Sequence, residues 1–384
     1  MEKHTGILLD VNYSFSEKKE SFLSLCVKTK KGKEFFFERN FFPYFYVLVD
    51  DAEKRLPEIK THLFGKKFSV RSAVIEKKSN AEKVIKLVFN NTEDLKEARE
   101  EAKTFSFVLE RREYDIPFTK RYLLDTGLSP MNGVEIESNG FDIENSEPFE
   151  STEKEILALS MASFDLETHS PGRFSNPLKD PIISIAVTSG EKELVFAWRQ
   201  DRKKDSHVLF ASEKEVVEEF VSQMEKTSPD IVVTYNGDSF DFPYIAQRCK
   251  KLGVEIKRAF FGHEPRLKRM GLDNAYRING VQHLDAYRVI RVMTRFGVVN
   301  LVKFDLESVS DAIFGVNKKK VDHNDINLAF ETGKGMKEVI DYNREDATYT
   351  YKIAQRYLPL YAELCRLSHE TLFEASRSGA SSLV

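Results

Sequence analysis

Cysteine is nearly missing from this chain. Cys26, Cys249 and Cys365 are the only three in 384 residues; they are scattered, and no CxxC pair exists. That excludes a zinc knuckle and a disulfide framework. No apolar run approaches the ~20 residues needed to cross a bilayer, and Met1–Val11 opens with charge and lacks the apolar core of a secretion signal. These absences point to a cytoplasmic protein with no membrane partner. Surplus charge of one sign is also lacking: 58 Lys and Arg stand against 61 Asp and Glu, a formal net charge of −3. An indiscriminate, histone-like DNA coat is thereby excluded, whereas a basic groove on an acidic body is not. There is no internal repeat and no low-complexity tract.

Large apolar side chains are plentiful, with 30 Phe and 14 Tyr in a chain that is 41% hydrophobic. The length implies two or three domains. The first segment, to about Gly133, reads as mixed α/β. Phe41–Val49 and Val84–Phe89 are strand-like in their aromatic and β-branched content, and Ala52–Phe64 and Thr92–Phe105 are charged and helix-like. Ser129–Glu155 is polar and turn-rich, which marks a boundary, although part of it suits a return strand. Beyond it strands and helices alternate: Ile156–Phe164, Pro181–Val187, Glu193–Trp198, then helix Glu213–Lys226 with Ser212 as its N-cap, strand Ile231–Tyr235 and helix Phe242–Leu252. That pattern predicts an α/β layer domain. Two helical stretches, Lys337–Leu358 and Pro359–Ala375, close the chain.

Three acidic motifs stand out. In Phe164–Thr168 (FDLET), residues two apart on a strand share a face, so Asp165 and Glu167 project together; alone, the pair is equally a solvated strand end. In Tyr235–Tyr244 (YNGDSFDFPY), Asn-Gly-Asp marks a turn and Asp241 sits in the first turn of a helix, where the dipole favours an acid. In Tyr342–Asp346 (YNRED), Tyr342 and Asp346 lie one helical turn apart. Together the motifs place Asp165, Glu167, Asp241 and Asp346 on a strand, a helix start and a helix, each with apolar neighbours that aim it inward. Clustered carboxylates raise one another's pKa unless cations neutralise them. Hard oxygen ligands suit Mg²⁺ or Mn²⁺, and two such ions about 4 Å apart clamp both oxygens of an in-line phosphodiester displacement. Tyr342 is placed to orient the attacking water.

In this order the motifs resemble the three exonuclease motifs of family B DNA polymerases, with flanks similar to archaeal members. Phe42–Tyr46, Glu113–Tyr122 (EYDIPFTKRY) and Leu372–Val384 (LFEASRSGASSLV) match as well, so the resemblance spans nearly the whole chain. It implies an α/β architecture with an RNase-H-like exonuclease domain over 134–357, a mixed α/β N-terminal domain over 1–133, and a C-terminal helical segment, 358–384, returning toward the N-terminal domain. It further implies a metal-dependent 3′→5′ DNA exonuclease with a proofreading role. Asp165, Glu167 and Asp346 would hold the tighter ion, Asp165 would bridge to a second, and Asp241 would hold that second ion through water. Asn236 and Phe240 would contact the 3′-terminal nucleotides of a frayed single strand.

In archaeal members the N-terminal domain reads template uracil, and the matching positions are Tyr13, Pro43, Tyr44, Val84, Ile116, Pro117, Phe118 and Arg121. The pattern departs at Phe42, where relatives carry Arg. A Pro/aromatic cluster of this type is equally an ordinary core corner. Lys257–Arg269 and Lys318–Lys320 are candidate phosphate contacts or simply solvated surface; Asp285 and His283 read as structural. The family's C-terminal motif leads into a polymerase palm, yet no palm motif occurs here. The chain is therefore expected to work with a palm and thumb in cis or in trans, as a truncation or a split-gene product, with the template strand and a sliding clamp as further partners. Two other functions stay open: a non-catalytic, uracil-sensing DNA-binding subunit, and a free-standing nuclease acting on RNA.

Overall fold

The computed structural model describes residues 1–384 except 65–67, 79–81, 173, 205, 271–272, 319 and 379–384. The chain divides into two compact units, Met1–Phe149 and Glu150–Val384.

The first unit opens with strands β1 (Glu2–Phe15), β2 (Ser21–Thr29) and β3 (Gly32–Glu38), continues through β4 (Tyr44–Val49), helix α1 (Ala52–Phe64), β5 (Val70–Lys77), β6 (Lys83–Phe89), α2 (Thr92–Glu101) and β7 (Val108–Arg112), and ends with α3 (Phe118–Thr126), β8 (Gly133–Asn139) and β9 (Asp142–Phe149). Strands β1-β2-β3-β9-β8 close into a barrel, and β5-β6-β4-β7 form a four-stranded sheet. Alternation along β4 explains the sheet's two faces. Phe45, Val47 and Val49 join a core with Ile59 and Leu63 of α1 and Ala98 of α2, while Tyr44 and Tyr46 cluster with Val84 on the opposite face.

The expected boundary at Gly133 needs correction, because the unit runs on to Phe149. Its last hairpin resembles a linker in composition, since its outward positions are polar. Alternate residues of β8 nevertheless turn inward, and Val134 and Ile136, with Ile143 of β9, are buried in the barrel core. Gly140, at φ 62°, makes the turn between the two strands.

The second unit comprises α4 (Glu153–Leu157), β10 (Met161–Thr168), β11 (Ile182–Ser189), β12 (Lys192–Ala197), α5 (Glu213–Thr227), β13 (Ile231–Thr234), α6 (Asp241–Leu252), hairpin β14 (Arg266–Met270) and β15 (Asp273–Arg277), β16 (Gln282–Asp285), α7 (Ala286–Arg295), α8 (Leu306–Phe314), α9 (His323–Thr332), α10 (Met336–Ser368) and α11 (Leu372–Ala375). Its sheet has the order β12-β11-β10-β13-β16. The pairs β10/β11 and β11/β12 are antiparallel, β10/β13 and β13/β16 parallel. As expected from Ser212, that hydroxyl caps α5 by accepting from Glu215 N–H.

Helices cover both faces of this sheet. Phe164 and Leu166 of β10 pack with Val217 and Phe220 of α5 and Phe242 and Ile245 of α6. The alternate residues, Ser163, Asp165 and Glu167, turn to the other face, where α10 lies: Ser163 Oγ donates to the Ala347 carbonyl at 2.6 Å.

Two closing helices were expected, split at Pro359; α10 instead runs unbroken from Met336 to Ser368 with that proline inside it. A proline lacks the N–H for the carbonyl one turn back. The burial of Tyr357, Leu358, Tyr361, Ala362 and Cys365 on both sides of it holds the helix together.

Candidate active site

Asp165 and Glu167 leave β10 on one face, and Asp346 meets them from the middle of α10. One ligand oxygen from each of the three carboxylates lies within 4.8 Å of the others. The register of this meeting is set by neighbours. Asn343, one turn before Ala347 on α10, donates to Asp165 Oδ2 at 2.7 Å and accepts from Ser184 Oγ of β11 at 2.9 Å. The first and third motifs, with Asp165 and Asn343 178 residues apart, are thus stitched together by small polar side chains between strand and helix.

The cluster is short of positive charge. Burial pushes Asp165 up to about 6, against the opposing pull of Lys318 and Asn343. Glu167 is raised well above its ordinary value by burial and then by the charge of Asp165. Asp241, at the start of α6, stands outside the three-residue set but is raised well above its ordinary value too, by burial and by Asp165 and Asp285. Its Oδ1 is buried without a hydrogen-bond partner among the described residues. Such an orphan acceptor is costly unless something supplies a donor or a cation. A hard all-oxygen donor set, mutual repulsion and an unsatisfied buried oxygen fit a divalent ion.

Lys318 contributes the one cation of the cluster among the described residues. It forms an ion pair with Asp346, its ammonium lies 4.0 Å from the centre of the Tyr342 ring, and its side chain is fully buried. Burial holds its pKa below the ordinary lysine value although Glu307 and Asp165 pull it up. The expectation of a solvated or phosphate-binding Lys318 is therefore corrected. Lys319 lies outside the described residues. The Tyr342 hydroxyl donates to Glu307 Oε1 at 3.0 Å.

Beside the carboxylates a cavity of about 650 Å³ is lined by Leu166, Glu167, Thr168, Phe174, Ser175, Phe240 and His323. Phe240 reaches it because it is the N-cap residue of α6. Asn236, in the same turn, is left-handed at φ 64° and its side chain is exposed.

Residues 109–309, just over half the chain, match the family described as DNA polymerase family B, exonuclease domain. The chain belongs to the family B DNA polymerases. A DNA polymerase of Pyrococcus glycovorans is 34% identical over 388 residues, covering 98% of this chain and 46% of the relative. A DNA polymerase of Thermococcus sp. strain 9oN-7 is 33% identical over 385 residues with the same coverage. The chain thus spans about half the length of the curated relatives it matches. The solved family B DNA polymerase of the hyperthermophilic archaeon Pyrobaculum calidifontis superposes with a TM-score of 0.81 at 21% identity, over 99% of this chain and 49% of that one, and shows the shared fold. The family's exonuclease domain is RNase H-like, and Asp165, Glu167 and Asp241 fall inside the matched residues.

In the first unit, several of the aromatic and basic residues matched to uracil reading form one connected run. Tyr13 meets Phe118 edge-on at 5.7 Å, Phe118 stacks with Phe41 at 5.8 Å, and Phe41 meets Tyr44 at 6.5 Å. Arg121 lies over the Tyr44 ring at 4.8 Å. Val84 packs with Tyr44, the Pro43 carbonyl accepts from Phe89 N–H, and Ile116 and Pro117 lead into α3, with Pro117 as its N-cap. Phe41, which no motif singled out, is the link in the middle. At the departing position, the Arg71 guanidinium lies 3.6 Å from the centre of the Phe42 ring.

Other basic candidates have acidic partners: Lys257 pairs with Glu255, Arg258 with Glu225 and Lys268 with Glu374. His283 and Asp285 are buried and bonded: His283 Nε2 meets Thr234 Oγ1 at 2.9 Å, and Asp285 caps α7 by accepting from Tyr287 N–H. Lys318 and Asn343 escaped notice as site residues because a lysine in a basic run and an asparagine within YNRED carry no signal of their own. Only the pairing of α10 with β10 and β11 reveals them.

Proposed function

We propose that this chain is the 3′→5′ proofreading exonuclease portion of a family B DNA-directed DNA polymerase, hydrolysing the 3′-terminal phosphodiester of single-stranded DNA. The observation that carries the reading is the convergence of Asp165, Glu167 and Asp346 next to the unsatisfied Asp241 oxygen. Asp165, Glu167 and Asp346 would hold one Mg²⁺ or Mn²⁺, and Asp165 with Asp241 a second. When bound, the ions supply Lewis-acid charge to the scissile phosphate and an acidified water as nucleophile.

The chain's own residues do the rest. Lys318 limits repulsion among the acids and fixes Asp346. The Tyr342 hydroxyl, held by Glu307, presents its oxygen as an acceptor to the attacking water. Phe240 and the apolar wall of Leu166 and Phe174 suit the terminal base, since an aromatic face stacks on any base and so degrades any sequence. Unpaired ends enter such a cavity more cheaply than paired ones, which favours mismatched termini. The first unit would read the template ahead of this site, and its Tyr13–Phe118–Phe41–Tyr44 run supports uracil sensing.

The reading is tested by digesting a 5′-labelled single-stranded DNA oligonucleotide with Mg²⁺, with EDTA, and with Asp165→Ala protein. A metal-dependent ladder shrinking from the 3′ end, lost in the variant, is expected. Equal cleavage by the variant, or none by folded wild-type protein, overturns it.

A further inference from the structure

The turn Asn236–Phe240 carries Phe240, which lines the cavity, and the exposed Asn236, yet it is short and bends sharply. Gly237 is required in it: a Cβ there would fall 2.0 Å from Thr234 Oγ1. Asn236 is held in the left-handed region at φ 64°, a conformation that costs a non-glycine residue energy unless its surroundings impose it. The surroundings do so through two aspartates. Asp285 accepts from Asn236 N–H at 2.8 Å and from Asp238 N–H at 3.2 Å. Asp238, buried to 4% exposure, accepts from Tyr276 N–H at 2.9 Å and Arg288 Nε at 2.9 Å.

The remaining donors to Asp238 come from the far end of the chain. Arg377, just beyond α11 and 139 residues away, donates Nε to Asp238 Oδ2 at 2.8 Å and Nη2 to Oδ1 at 3.1 Å. Its other N–H groups go to the His283 carbonyl at 2.9 Å, the Phe373 carbonyl at 3.0 Å, and His283 Nδ1 at 2.8 Å. The side chain has no solvent exposure. A guanidinium offers five donors in a fixed fork, and here the fork fits a carboxylate on one side and a strand carbonyl on the other. That is more directional bonding than packing a short terminal helix needs, and it converges on the turn that sets the direction of Phe240 and Asp241.

We infer that Arg377 is a positioning residue for the nuclease. Through Asp238 it holds the Asn236–Phe240 turn so that Asp241 faces the other three carboxylates and Phe240 faces the cavity. Arg377 touches neither substrate nor ion; it acts through the turn, and its effect falls on the ion that depends on Asp241. The ion held by Asp165, Glu167 and Asp346 depends on β10 and α10 and is untouched. This inference rests on the two-ion exonuclease reading.

The test is Mn²⁺ binding to the full chain, followed by the electron paramagnetic resonance of free Mn²⁺ in the presence of deoxythymidine 5′-monophosphate. Wild-type, Arg377→Ala, Arg377→Lys and Asp238→Ala proteins are compared, with the Arg377→Ala/Asp238→Ala double variant. Wild-type protein is expected to bind a tighter and a weaker ion. Arg377→Ala should leave the tighter ion unchanged and weaken the other by about tenfold or more, the scale of losing a supporting hydrogen bond behind a metal ligand. Lysine lacks the fork and should restore affinity only in part. The double variant should be no worse than the poorer single one, because both act through one contact.

Unchanged binding of both ions by Arg377→Ala, or equal weakening of both together with a lowered melting temperature, overturns the inference and leaves a scaffold role. Should Arg377→Ala not fold, Arg377→Lys decides in the same way: selective loss of the weaker ion supports the inference and wild-type binding overturns it. Wild-type protein that binds fewer than two ions overturns the exonuclease reading itself.

Discussion

In the first unit, the aromatic run around Tyr44 carries polar tips, and those of Tyr44, Arg121 and Tyr122 have partners. The Tyr44 hydroxyl donates to Asp125 at 2.5 Å, Arg121 donates to the Glu113 carboxylate at 2.6 Å, and Tyr122 meets Ser146 at 3.3 Å. In the second unit, four acids face one another with a single lysine among them, and one buried oxygen of Asp241 has no hydrogen-bond partner among the described residues. Both regions are legible as candidate sites in the list of residues, the carboxylates through ordered motifs and the aromatic run through matched positions. Physically they differ: most polar tips of the aromatic run are satisfied from within, whereas the carboxylate cluster is short of positive charge as it stands. An incomplete cluster in a polymerase exonuclease domain is strong ground for a cation site. A complete one needs a functional test before it counts as a site at all.

The largest effect should come from making the incomplete cluster smaller. Asp165→Ala is expected to lower the exonuclease rate by about 10³-fold or more, a loss of ~4 kcal/mol in transition-state stabilisation, with the far-ultraviolet circular dichroism unchanged. Retention of even a tenth of the wild-type rate would mean that the cluster is not the catalytic centre. Removing the internal cation sharpens the contrast. Lys318→Met should slow cleavage by about 10- to 100-fold and lower the melting temperature of metal-free protein, because three acids then lose their one ammonium. A melting temperature that rises instead would show that Lys318 is tolerated at the site rather than needed by it.

This contrast was only partly legible in the sequence. The carboxylates announced themselves because each motif has its own local grammar: a strand end, a helix start, a helical turn. The alternation that buries Phe164 and Leu166 must aim Asp165 and Glu167 the other way, so their shared face followed from period alone. Partners separated by long stretches of chain did not. Lys318 looked like one of three surface lysines, and nothing in a basic run says which member a neighbouring helix will bury. The β8–β9 hairpin looks like a boundary in sequence because its exposed half is polar, and Pro359 like a helix break because local propensity carries no trace of the packing that overrides it. In each case the deciding contact lies across the fold, where composition carries no signal.

The missing positive charge should also appear in stability. A carboxyl whose folded pKa lies above its unfolded value contributes fully below the unfolded pKa, and the contribution is lost as pH rises through the folded one. For Asp165 that window runs from 3.8 to about 6, and Glu167 and Asp241 shift in the same direction. Metal-free wild-type protein should therefore lose stability relative to Asp165→Asn across this window. The asparagine variant should melt a few degrees higher at pH 7.5, for a difference of about 3 kcal/mol or less. Mg²⁺ should narrow that gap by stabilising the wild type more. Identical melting curves for the two proteins at pH 7.5 without metal would remove the charge deficit from the comparison.

The smallest effect, and the one that could overturn the contrast, belongs to the first unit. If the aromatic run reads uracil, a single-stranded oligonucleotide with one uracil should bind about three- to tenfold tighter than its thymine twin. A single methyl group against a fitted wall yields discrimination of that scale or somewhat more. The two strands have equal charge, so salt and backbone contacts cancel in the ratio. Phe41 supplies the internal control. Its ring stacks on Phe118 and meets Tyr122 at 5.1 Å, so it occupies the middle of the run. Phe41→Ala should erode the uracil preference if that ring forms the wall that excludes the methyl group, and should leave it unchanged if the base is read elsewhere. Equal affinity of wild-type protein for both strands would make the run a packed corner, its hydroxyl and guanidinium tips satisfied from within. A clear preference would show instead that a largely hydrogen-bonded cluster can still be a binding site when it discriminates by shape rather than by charge.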